Sequence, residues 1–81
     1  MIDEDVKRKF EKLGYTVTED NEEEIELYKN NHGSCCCYDE VITYYRETDS
    51  YNKYDGSRCG SQMTPTEEEM KLIMELVRTE I

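Results

Sequence analysis

His32, Cys35, Cys36, Cys37 and Cys59 are the side chains of this 81-residue chain best suited to hold a metal or act as a nucleophile. Zinc takes nitrogen and sulfur ligands in a tetrahedron, commonly from cysteine pairs about two to four residues apart. His32-x-x-Cys35 has usable spacing, Cys35 and Cys37 would share one strand face, and Cys59 could approach from the Arg58–Met63 segment. Against a metal site, no Cys-x-x-Cys occurs and three consecutive cysteines on a strand point alternately. The preferred reading is four reduced, mostly buried small hydrophobes, with no metal and no cofactor. The alternative is a small thiolate zinc domain using Cys35, Cys37 and Cys59, with His32 as a further ligand.

A cysteine nucleophile needs a base, and His32 is the only histidine. It stands between Asn31 and Gly33, in a turn where a solvated imidazole is the common outcome. The sequence holds no G-x-x-x-x-G-K-[ST], G-x-G-x-x-G or H-E-x-x-H. Gly56 and Gly60 read as turn glycines. No catalytic residue is assigned, and the chain is not expected to be an enzyme.

Two other groups of residues are suited to binding. Glu19, Asp20, Glu22, Glu23, Glu24 and Glu26 make six of eight consecutive residues acidic. They offer hard oxygen ligands but lack the spacing, central glycine and terminal Glu of an EF-hand loop. A solvated hairpin edge that discourages edge-to-edge pairing accounts for them without function. As a functional feature they form an acidic patch facing a basic partner, with Tyr28 beside them. Tyr28, Tyr38, Tyr44, Tyr45, Tyr51 and Tyr54 are the second group. Tyrosine is a good strand residue, and it is also favoured at interfaces because it joins an apolar body to a polar tip.

Net charge narrows the partner. Ten Lys and Arg stand against 20 Asp and Glu, a formal charge of −10. Such a surface repels nucleic acid and anionic membrane and attracts basic protein surfaces. Aromatic platforms bind single strands only within a basic groove, which this composition denies. Direct nucleic-acid and membrane binding are therefore excluded. The first residues, MIDEDVKRKF, lack the apolar core of a secretory signal, and no run approaches the ~20 apolar residues of a membrane span. A cytoplasmic protein with reduced cysteines is expected.

The elements that must carry these groups follow from periodicity. Residues 2–13 predict a helix with Ile2, Val6, Phe10 and Leu13 as its stripe and Gly14 as its terminator. Tyr15–Thr18 begins a strand, residues 19–22 read as a turn, and residues 24–30 alternate as a second strand. A strong turn signal at 30–34 precedes residues 35–47, which read as one long strand or as two broken near Asp39-Glu40. Turns at 48–50 and 55–57 bracket a strand over 51–54.

Residues 64–81 carry the clearest helix signal. Thr64 is the expected N-cap, Pro65 the first helical residue, and Glu67 the partner in a Thr-x-x-Glu box. Met70, Ile73, Met74, Val77 and Ile81 form the expected apolar face, widened by Leu72 and Leu76. The whole chain, 1–81, is read as one small two-layer α+β domain. Its order is an N-terminal helix, an antiparallel meander of three to five strands, and a C-terminal helix.

Several runs carry a resemblance: Phe10-Glu11-Lys12-Leu13-Gly14-Tyr15, the alternating acidic strand, Tyr51-Asn52-Lys53-Tyr54-Asp55-Gly56, and the Met63-Thr64-Pro65-Thr66-Glu67-Glu68-Glu69-Met70 helix start. In these the chain resembles short uncharacterised proteins of phages and prophages of low-GC Gram-positive bacteria. The Cys35-Cys36-Cys37 run and the turn around Cys59 depart from that pattern. The resemblance implies an accessory protein acting inside a bacterial cell and assigns no residue a role. With the charge, it leads to a non-enzymatic acidic module. That module is expected to bind and modulate a basic, nucleic-acid-binding host or phage protein, in the manner of DNA-mimicking inhibitors.

Overall fold

A computed structural model describes residues 2–30, 39–56 and 62–80. The elements are helix α1 (Glu4–Lys12), strands β1 (Tyr15–Asp20), β2 (Glu24–Lys29), β3 (Glu40–Tyr45) and β4 (Ser50–Asp55), and helix α2 (Glu67–Glu80). The strands form one antiparallel sheet in the order β1-β2-β3-β4. This is the α+β meander between two helices that the periodicity predicts. His32, Cys35, Cys36, Cys37, Tyr38 and Cys59 lie outside the described residues, as does Ile81. No helix among the described residues is long and apolar enough to cross a membrane.

Helix α1 is held at its start by Asp3, whose carboxylate accepts from the backbone N–H groups of Asp5 and Val6. It ends at Gly14, whose φ of +99° is a conformation glycine adopts without the clash a side chain would meet. Ile2 precedes the helix but is still buried.

β1 runs two residues past the expected strand end, because a bulge between Val17 and Glu19 resets its alternation. The hairpin turn falls instead at residues 21–23, where Asn21 Oδ1 accepts from the N–H groups of Glu23 and Glu24. This side-chain turn is the usual alternative that Asn offers the backbone.

Both helices cover one face of the sheet. Val6 and Phe10 from α1 and Ile73 and Leu76 from α2 pack with Ile25, Leu27, Ile42, Tyr44 and Tyr15. Phe10 meets Tyr15 edge-on, with ring centroids 5.9 Å apart.

α2 is capped two residues later than predicted. Thr66 Oγ1 accepts from the Glu69 N–H, while Glu69 Oε1 accepts from the Thr66 N–H. Thr64-x-x-Glu67 and Thr66-x-x-Glu69 are equivalent as local motifs. The second prevails because Glu69, only 3% exposed, also receives Lys53 at 2.5 Å and the Tyr15 hydroxyl at 2.7 Å. The face turned to the sheet is centred on Glu69, Ile73 and Leu76, so Met70, Leu72 and Val77 are half-buried and Met74 is 51% exposed.

Candidate protein-docking face

The period-2 alternation of a strand decides which residues stand away from the helices. Ile25 pairs with Tyr44 and Leu27 with Ile42, and all four are core residues, so their chain neighbours face outward. Register then assembles the outward face in three rows across the sheet. The first is Thr16, Tyr28, Val41 and Tyr54; the second is Glu19, Glu26, Thr43 and Asn52; the third is Glu24, Tyr45 and Ser50.

The bulge governs the acidic residues. Without it Glu19 would point at the core and Asp20 outward. With it, Glu19 stands directly across from Glu26, and Asp20 across from core residue Ile25. Like charges placed directly opposite on an antiparallel pair are destabilising. Glu26 is oriented by Thr18, whose hydroxyl donates to Glu26 Oε1 at 2.8 Å. Glu24 lies opposite Tyr45, which is 37% exposed. Among its described residues this face holds no lysine or arginine. The strand lysines, Lys29 and Lys53, are both in register positions on the helix side, where each forms an ion pair with Glu40, at 3.8 and 2.7 Å.

The residues expected to bind a partner therefore separate. Glu19, Glu24, Glu26 and Tyr28 come together on the helix-free face. Glu22 and Glu23 are exposed at the hairpin tip beside it. Asp20 is removed to a structural role: its Oδ2 accepts from the Ile2 N–H at 2.9 Å and its Oδ1 lies 3.1 Å from Arg46. Burial pushes the Asp20 carboxyl up, but the Ile2 N–H and the Arg46 guanidinium outweigh it and leave it below its ordinary value. Arg46 also binds Glu80 through Nε at 3.0 Å, so the pair of acids fixes the end of α2 to the first hairpin.

The tyrosines divide in the same way. Tyr28, Tyr45 and Tyr54 belong to the helix-free face, with the Tyr28 hydroxyl donating to Asp39. Tyr44 is buried in the core with its hydroxyl on Asp49; burial, then that hydrogen bond, pushes it up to about 12. Tyr51 lies beside α2, its hydroxyl 3.5 Å from the Met70 sulfur.

Sequence reasoning missed the polar cluster under α2, where Tyr15, Lys53 and Glu69 meet with Glu40. The signal was present in Tyr51-Asn52-Lys53-Tyr54, where alternation sets Lys53 on the same side as Tyr51. Comparison with family models, curated proteins and solved structures gives no match to this chain.

Proposed function

We propose that this protein is a non-enzymatic binding module that docks a basic protein surface on the helix-free face of its sheet. The observation that carries the proposal is the in-register opposition of Glu19 and Glu26 on a face with no described basic residue. A surface selected only for solubility gains as much from mixed charges, which would avoid this repulsion. Glu24, Tyr28, Tyr45 and Tyr54 add aromatic area and further charge, the composition that suits a polar interface. The resemblance to phage and prophage accessory proteins gives the setting, the inside of a bacterial cell, and the net charge of −10 suggests the partner, a basic surface that ordinarily meets nucleic acid. Binding there would modulate that partner by occupying its basic surface.

The test compares capture of basic nucleic-acid-binding proteins from bacterial lysate by three proteins. These are the native chain, a Glu19→Gln/Glu24→Gln/Glu26→Gln variant, and a Glu67→Gln/Glu68→Gln control on the exposed start of α2. The first variant should lose capture at low salt while the control keeps it. Equal capture by all three would refute the proposal.

A further inference from the structure

We infer that this face selects arginine over lysine, with Glu24 and Tyr45 forming the guanidinium seat; the inference rests on the docking reading above. Glu24 and Tyr45 are directly opposed residues of adjacent antiparallel strands, and both project on the helix-free face. Opposed side chains on such strands have Cβ atoms about 4.5–5.5 Å apart, which sets a carboxylate beside the rim of an aromatic ring. No hydrogen bond or ion pair among the described residues occupies the Glu24 carboxylate, and Tyr45 is 37% exposed.

A planar guanidinium can lie on the Tyr45 ring while two of its N–H groups meet the Glu24 carboxylate. A compact ammonium can make one of these contacts well but not both. It is also more strongly hydrated, so it loses more on leaving water.

The neighbouring row extends the seat. Glu26 is held in place by Thr18, and next to it in register lies Thr43, 2% exposed, whose hydroxyl has no hydrogen-bond partner among the described residues. That hydroxyl is closed to solvent, so the groups open to a guanidinium are the Glu24 and Glu26 carboxylates and the Tyr45 ring. The occupant is thus an arginine-bearing basic segment of the partner. The chain shows the same chemistry internally, where Arg46 and not a lysine joins Asp20 to Glu80.

The experiment titrates oligoarginine and oligolysine peptides of equal length at one fixed salt concentration. The proteins are the native chain, Tyr45→Leu, Glu24→Gln, and the Glu67→Gln/Glu68→Gln charge control. Amide chemical shifts locate the binding, and matched thermal melts confirm folding. The native chain should favour oligoarginine by about three- to tenfold, the range expected of an exposed cation–π contact joined to a bidentate pair. Shift changes should centre on Glu24 and Tyr45. Tyr45→Leu should abolish the preference while retaining weak binding of both peptides, and the charge control should preserve it. Equal affinity for both peptides, or a preference that survives Tyr45→Leu, overturns the arginine seat and leaves the docking reading standing. Failure of both peptides to shift any residue of the face overturns both.

Discussion

Lys53 Nζ lies 2.5 Å from Glu69 Oε1, joining the last strand to the C-terminal helix through an ion pair buried at both ends. The same ammonium meets Glu40 Oε1 at 2.7 Å, and the far oxygen of Glu69 accepts the Tyr15 hydroxyl. A buried pair is costly to break from one side, because the partner is left charged and dry. Lys53→Met should therefore cost about 3–5 kcal/mol, a large part of the stability of so small a domain. Lys53→Met/Glu69→Met should recover part of that loss. Urea melts showing less than about 1 kcal/mol for the single change would contradict the buried pair.

The same cluster sets the pH profile. Burial raises the Glu69 carboxyl, but Lys53, the Thr66 N–H and the Tyr15 hydroxyl together hold it below its ordinary 4.5. Its stabilisation is thus fully present above pH 4.5 and is lost as pH falls through the lower folded value. Burial lowers Lys53, but its two carboxylates hold it above 10.5, so its share is complete below pH 10.5 and is lost as pH rises further. A stability plateau should span the neutral range, with an acid limb and an alkaline limb. Glu69→Gln should flatten the acid limb, as measured by denaturant midpoint against pH.

Capping distinguishes two neighbouring threonines. Thr66 caps α2 through a reciprocal bond with Glu69, and no described hydrogen bond uses the exposed Thr64 side chain. Thr66→Ala should cost about 1 kcal/mol, and Thr64→Ala should stay within about 0.5 kcal/mol. Thermal melts of the two variants decide between the two caps.

Much of this fold was legible from local rules. Gly14, the alternation of residues 24–29 and the heptad-like spacing after Met70 each specify their element from a few neighbouring residues. Two features were not legible, and each depends on contacts far apart in sequence. The cap at Thr66 is chosen by Lys53 and Tyr15, which no local motif contains. The bulge in β1 goes with Asp20 meeting Arg46 and the Ile2 N–H, distant partners that a reading of residues 19–22 as a turn does not contain. The acidic block was visible as composition, but its division into an outward-facing group and a structural anchor at Asp20 was not.

The orientation of α2 makes a contrast between adjacent residues. Ile73 is fully buried and Met74 is 51% exposed. Ile73→Ala should cost about 2–5 kcal/mol, whereas Met74→Ala should change stability by less than about 0.5 kcal/mol. Comparable losses at both positions would require a different face of α2 to meet the sheet.

Glu19 allows stability and binding to be set against each other. It stands across from Glu26, and its contact with the chain is a 3.3 Å hydrogen bond from the Asn21 side chain. Glu19→Lys replaces a repulsive cross-strand pair with an attractive one. The change should stabilise the fold by about 0.2–1 kcal/mol, the usual range for opposed charges on a sheet. It also places a cation at the β1 end of the row that holds Glu26, where a basic partner would approach. Association should therefore slow, with the larger effect at low salt where charges steer encounter. A face kept acidic for binding predicts opposite signs: a higher melting temperature and weaker capture of basic peptide. A face that is only a solvated surface predicts the stability gain together with unchanged low-salt association beyond what the same charge change produces at Glu67. Stopped-flow association rates for Glu19→Lys and Glu67→Lys, read beside their melts, separate the two.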